Sequence, residues 1–270
     1  MKKIIYVLTV LFFFTVASNV LAGKLVIKGS TTVLPIAQKV AEAYMKEHPD
    51  VKISISGGGS GNGIKAIIDG STDIADSSRF IKGKEIKLAM KKGVYPVPFR
   101  VAYDCIIPIV HPSNTVNDLT LDQLKSIYQG KIRNWKEVGG PDRKIAVVSR
   151  DTSSGTYEVW AKKVMKKERV FPAAMLQASN GAVLQVVSKN KNAIGYIGIG
   201  YMESSAKPIK VNGIEGSEAT TLNGTFPISR PLFMFTQGWP EGDTLKFLNY
   251  LLHPNKGQKL VGKSGYVSLY

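Results

Sequence analysis

Ala146-Val147-Val148-Ser149-Arg150-Asp151-Thr152-Ser153-Ser154-Gly155-Thr156 is an apolar run that stops at an arginine and breaks into small hydroxyl residues, after which Tyr157 opens a helical pattern. A strand that ends in such a turn and feeds a helix can hold an oxyanion. The first N–H groups of a helix lack internal acceptors and sit at the positive end of its dipole, so Ser154, Gly155 and Thr156 can aim them at negative charge. Arg150, at the end of the strand, adds a planar fork that matches phosphate or carboxylate. Taken alone the stretch has a plainer reading, because Ser and Thr before a helix commonly serve as caps.

Outward from this stretch the same unit recurs. Leu25 to Lys28 reads as a short strand and Gly29-Ser30-Thr31-Thr32-Val33 as a second hydroxyl turn. Pro35, with Ile36, Val40 and Tyr44 four apart, then predicts a helix closed by His48-Pro49. Val51 to Ser56 alternates like a strand and runs into Gly57-Gly58-Gly59-Ser60-Gly61-Asn62-Gly63, where the backbone can approach a ligand closely; Ile64, Ile67 and Ile68 mark a helix ending at Gly70. Thr72 to Arg79 makes a fourth polar strand end before an amphipathic helix around Lys84 to Lys92. Downstream, Leu121 to Tyr128, Gly155 to Lys167, Ala182 to Lys189, Thr244 to Leu252 and Lys256 to Val261 read as helices, and Ala193 to Gly198 and Phe226 to Thr236 as strands. Strands alternating with helices predict an α/β fold, in which ligands collect at the carboxyl ends of the strands. Val97 to Val110 is long enough to pass from one lobe into another.

Lys2 and Lys3 precede an apolar run from Ile4 to Val16, and Val20-Leu21-Ala22 offers small residues for cleavage, so residues 1–22 are expected to be a signal peptide cut near Ala22/Gly23. The run is too short to span a membrane, and no cysteine follows it to carry a lipid. The expectation is a soluble exported protein, periplasmic, with no role for nucleic acid. Its formal charge of +16 concentrates anions at the surface without choosing among them, and the lysines are scattered rather than interleaved with exposed aromatics. Cys105 is the one cysteine, so no internal disulfide can form, and it reads as a small buried hydrophobe. His48, His111 and His253 each precede proline, which disfavours a helical ligand pair, and no metal is expected.

Several patterns lead elsewhere and fail on context. Gly257 to Ser264 spells the P-loop letter for letter, yet it follows a helix and lies at the end of the chain, where a nucleotide loop needs a strand before and a long helix after. Asn62 breaks the dinucleotide fingerprint, and neither Ser60 nor Ser154 sits in a Gly-x-Ser-x-Gly elbow. With three histidines, all beside proline, a Ser-His-Asp hydrolase lacks a base, so no catalytic residue and no cofactor is expected. Asp73 and Asp76 stand at i,i+3 and face opposite sides of a strand, and Asp73 suits a structural role.

Taken in order, Gly29 to Pro35, Gly58-Gly59-Ser60-Gly61, Asp73 to Arg79, Arg150 to Thr156 and Ala193-Ile194-Gly195-Tyr196 resemble the phosphate-binding proteins of bacterial high-affinity phosphate ABC transporters. The resemblance spans the chain after the leader. It implies a two-lobed periplasmic-binding-protein (type II) fold with a ligand cleft between the lobes, here residues 24–105 plus 225–270 for lobe one and 106–202 for lobe two, with 203–224 unassigned. It implies inorganic phosphate as ligand, membrane permease subunits as partners, a monomer, and no catalysis. Carried over position by position, the ligand residues are Ser30, Thr31, Thr32, Val33, Ser60, Ser78, Arg79, Arg150, Ser154, Gly155 and Thr156. Ser78 stands where well-known members place an aspartate that accepts the proton of bound phosphate; Arg79 would make the site richer in donors, and Asp76 or Asp104 would have to supply the acceptor. Three alternatives remain open: the same fold binding sulfate or molybdate, a secreted phosphatase using Ser154 or Ser60, and an adhesive surface protein acting through its charge.

Overall fold

The computed structural model describes residues 23–270; the expected signal peptide lies outside the described residues. The first third of the chain builds three parallel strands, each followed by a helix. These are β1 (Gly23–Gly29), α1 (Leu34–Glu47), β2 (Val51–Ser56), α2 (Ser60–Ile68), β3 (Ile74–Ser77) and α3 (Gly83–Lys91). In α1 the four-residue spacing does what the sequence predicts: Ile36, Val40 and Tyr44 turn one face inward with Ala37 and Ala41, and Pro35 lies in the first turn. Asp73 is structural, its carboxylate accepting from the Val26 amide at 2.7 Å.

The long strand β4 (Val97–Val110) then leaves this body for a second one. That second body contains β5 (Asp118–Leu119), α4 (Leu121–Tyr128), β6 (Ala146–Arg150), α5 (Gly155–Lys163), β7 (Met175–Gln177), α6 (Asn180–Lys189), β8 (Ala193–Gly198), β9 (Lys207–Pro208), β10 (Lys210–Val211) and α7 (Glu218–Leu222). Strand β11 (Ser229–Thr236) returns, and α8 (Gly242–Leu252) and α9 (Gly257–Lys263) close the chain against α1. The main sheet has nine strands, in the order β2-β1-β3-β11-β4-β8-β6-β7 with β9 also on β4. Val97–Cys105 of β4 pairs antiparallel with β11, and Ile106–Val110 pairs antiparallel with β8, so one strand belongs to both halves.

The buried apolar residues divide the same way. One cluster draws on Cys105 to Ile228 and two others on Leu25 to Ala102 and Leu232 to Tyr266, giving a two-lobed molecule whose lobes are joined by β4 and β11. Residues 203–224 contribute Ala206, Ile209 and Val211 to the first of these clusters, as do Phe226 and Ile228. The strand expected from Phe226 therefore pairs only from Ser229. The helix expected over Gly155 to Lys167 stops at Lys163, where the chain turns through left-handed backbone at Lys166 and Lys167 (φ 52° and 69°) and folds Val164 and Met165 into the core. The P-loop letters fall on α9. A Cβ on Gly257 would lie 2.3 Å from Leu251, so this glycine serves the packing of α9 on α8.

Candidate oxyanion-binding site

Four hydroxyl-rich turns, widely separated in sequence, meet between the lobes. Each lies at the carboxyl end of a parallel strand, where an α/β sheet leaves its crevice. Gly29 to Val33 links β1 to α1; the Ser30 hydroxyl accepts from the Thr32 and Val33 amides at 3.1 and 3.4 Å and fixes that turn. Ser60 opens α2, and its hydroxyl accepts from the Ser78 amide at 3.0 Å while lying 3.3 Å from the Ser78 hydroxyl. From the opposite lobe Ser154 caps α5, accepting from the Tyr157 amide at 3.2 Å. The Gly155 and Thr156 amides, the first of that helix, have no acceptor among the described residues.

The turns touch across the seam. Thr32 Oγ1 lies 2.9 Å from Thr156 Oγ1, and the Gly61 amide donates to Ser153 O at 2.9 Å. A Cβ on Gly155 would fall 2.4 Å from Ser60 Oγ and 2.7 Å from Ser78 Oγ, so glycine alone lets α5 come this close. Ser30, Thr31, Thr32, Val33, Ser60, Ser78, Arg150, Ser154, Gly155 and Thr156 thus form one buried cluster.

Arg150 is the unbalanced member. Its Nε and one Nη donate to Gln177 O and Ala178 O, each at 2.9 Å, and that Nη also reaches Thr31 Oγ1 at 3.3 Å. The other Nη is buried with no partner, and no carboxylate among the described residues pairs with the group. Burial pulls this guanidinium below its ordinary pKa, the expected response of a desolvated cation. Behind it, Tyr196 stacks on Trp160 at 4.2 Å and places its hydroxyl 3.0 Å from Ser149 Oγ and 3.2 Å from the Arg150 amide, fixing the strand end.

Arg79 departs from the expected arrangement. Its guanidinium faces the side of the seam, bidentate on Glu85 at 2.8 and 2.7 Å, with Nε 2.9 Å from Glu158 Oε2 on α5. The acidic residue in the first turn of α3 is a stronger magnet than a cluster of neutral hydroxyls, so Arg79 does not add a free donor to the cluster. Asp104 and Asp76 also separate. Asp104 accepts from Arg230 Nε and from the Ile199 amide, both at 2.9 Å, whereas Asp76 has no partner at either oxygen among the described residues.

Two residues that sequence reasoning missed reach the same hydroxyls. Asn180 Nδ2 donates to Thr31 Oγ1 at 3.3 Å and Thr32 Oγ1 at 3.1 Å, and its Oδ1 accepts from the Gly198 amide at 3.2 Å. Arg230 Nη2 donates to Thr32 Oγ1 at 3.3 Å and Thr156 Oγ1 at 3.0 Å. Ser179-Asn180 at the start of α6 repeats the polar-turn signal of Ser154-Gly155, Asp104 is the one acidic residue of β4, and Arg230 is the one charged residue of β11. Both signals were present in the sequence.

Two lobes on a shared sheet, with donors from both converging at the seam, define a solute-binding protein of the periplasmic type. The chain matches the PBP superfamily domain over residues 15–255. It is similar to the phosphate-binding protein PstS of Staphylococcus epidermidis, at 37% identity over 89% of this chain and 77% of that one. The S. aureus protein of the same name is 35% identical over 89% and 76%. A crystal structure of a candidate phosphate ABC transporter substrate-binding protein from Clostridium perfringens, with phosphate bound, superposes with a TM-score of 0.86 at 36% identity, covering 92% of this chain and all of that one. An ABC-type phosphate transport receptor from Vibrio cholerae gives 0.72 at 32%, covering 90% and 99%. The chain belongs to the PstS family of phosphate-binding proteins, which are solute-binding proteins and not enzymes.

Proposed function

We propose that this protein captures inorganic phosphate between its lobes and presents it to the permease subunits of an ABC transporter, outside the cytoplasm and as a monomer. The observation that carries the reading is Arg150, a buried guanidinium with an unpartnered Nη and no carboxylate, beside two helix-terminal amides that also lack acceptors. A site short of one negative charge is stabilised by an anionic guest. Thr31, Thr32, Val33, Ser60, Ser78, Ser154, Gly155 and Thr156 are the proposed neutral donors, with Ser30 holding its turn in shape. The moving units are the body of β1–β3, α1–α3, α8 and α9, and the body between the two crossings by β4 and β11. Because the donors come from both bodies, phosphate favours the closed form by differential affinity, and a permease that reads closure receives only loaded protein.

Arg150→Ala tests this directly. A charge-assisted hydrogen bond contributes about 1.5–3 kcal/mol, so phosphate affinity by calorimetry should fall roughly 10- to 100-fold with the circular dichroism spectrum unchanged. Unchanged affinity would reduce the Arg150 motif to a helix cap. Ser78, a hydroxyl that brings no carboxylate to accept a ligand proton, favours a second reading in which sulfate or molybdate shares the site. Tighter binding of sulfate than phosphate at one pH would establish it.

A further inference from the structure

The two strands that join the lobes carry an ion pair at the point where the chain crosses. Asp104 on β4 and Arg230 on β11 are cross-strand neighbours, between Ala102 and Leu232 of one core and Cys105 and Ile228 of the other. The pair is buried, with Arg230 Nη2 2.7 Å from Asp104 Oδ2 and Nε 2.9 Å from the same oxygen. Asp104 Oδ1 is taken by the Ile199 amide, and a Cβ on Gly198 would fall 2.9 Å from it, so the carboxylate is boxed in. Arg230 is not used up by this partner. Its Nη1 donates to Ser78 O at 3.1 Å, and its Nη2 reaches one threonine hydroxyl in each lobe, Thr32 and Thr156.

A hydroxyl has one proton to give and two lone pairs to receive. Arg230 fills a lone pair on both threonines, and Asn180 fills another on Thr32. With both lone pairs filled, Thr32 can only give its proton, and Thr156 Oγ1 at 2.9 Å is there to take it. Thr156, now receiving from Arg230 and from Thr32, keeps its own proton for a bound oxyanion. We infer that Arg230, held by Asp104, is a positioning residue of the oxyanion site: from the hinge it orients the Thr156 hydroxyl as a donor to the ligand, directly and through Thr32 of the other lobe, and Asp104 is its holder rather than the acceptor of a ligand proton. The inference rests on the oxyanion reading above and adds to it a residue on neither lobe's binding turns. It also explains why a buried pair is kept where an apolar pair would fold as well.

The test uses the mature protein, with phosphate and sulfate titrated in parallel. The double variant Arg230→Met with Asp104→Leu removes both charges together and should melt near the wild type, yet bind phosphate at least tenfold more weakly. Wild-type affinity in that variant would overturn the inference and leave the pair purely structural. Should the double variant not fold, Arg230→Lys alone carries the test, crossed with Thr156→Val. If Arg230 acts through Thr156, the second substitution costs little in the lysine background; full additivity of the two losses would overturn it. Asp104→Asn should weaken phosphate and sulfate by the same factor, whereas a loss for phosphate alone would mark Asp104 as the proton acceptor and refute its role as holder. A wild type that binds sulfate and not phosphate would remove the phosphate reading, and the same comparisons made with sulfate would still decide the role of Arg230.

Discussion

Asp76 shows how a single side chain can work against the fold that holds it. It lies on β3 opposite Met234, with both carboxylate oxygens buried and without partners. Burial pushes its pKa well above the ordinary 3.8. The native state therefore keeps the proton that the unfolded chain releases, and the stability present below pH 3.8 is lost as the pH rises toward the native value. Asp76→Asn mimics the protonated acid, so it should match the wild type in acid and exceed it by about 1–3 kcal/mol at neutral pH. Urea unfolding at several pH values checks this, and a wild type whose stability does not fall across that range would contradict it. Gly155 is the opposite case, a residue whose missing side chain is its contribution. Gly155→Ala sets a methyl 2.4 Å from Ser60 Oγ, so it should hold the lobes apart and lower phosphate affinity at least tenfold without lowering the melting temperature of the ligand-free protein.

Among the elements, α5 has two tasks. Its first amides face the cluster, and one turn later Glu158 meets Arg79 at 2.9 Å and Lys82 at 2.6 Å across the seam. These contacts bridge the two bodies, so parting the lobes would break them, and they lie outside the hydroxyl cluster. Glu158→Gln should therefore speed phosphate release about fivefold in stopped-flow measurements, with a smaller effect at high salt, in line with about 1 kcal/mol for partly exposed pairs. Elements of this kind were legible in the sequence where the pattern was long: α1 by its four-residue spacing, β4 by its length, α5 by the cap at Ser154. Strands β5, β7, β9 and β10 were not, because two or three residues show no period. The site was legible where a turn preceded a helix, which is why Ser60 and Thr156 could be named. Arg230 and Asp104 stand out as charges in apolar strands, but only the pairing of β4 with β11 shows that they meet; Arg79 goes to Glu85 and Glu158 because their attraction depends on how α3 and α5 are placed.

For the molecule as a whole, ligand and stability are linked. Phosphate at one hundred times its dissociation constant should add about 2.7 kcal/mol, which for a chain of this size raises the melting temperature by roughly 5–10 °C. Differential scanning fluorimetry with and without phosphate measures it; no shift would mean that phosphate does not select the folded, closed form.

The lobes are joined by two antiparallel strands that are hydrogen-bonded to each other across the crossing, from Ser229 opposite Cys105 to Leu232 opposite Ala102. A ribbon of this kind bends out of its own plane far more readily than it is sheared or pulled open. Opening is thereby confined to a nearly one-dimensional path, along which every distance between the rims of the cleft rises and falls together. One pair of fluorophores, placed on any two facing rim positions, should then report the entire motion, and records from different pairs should superimpose after rescaling.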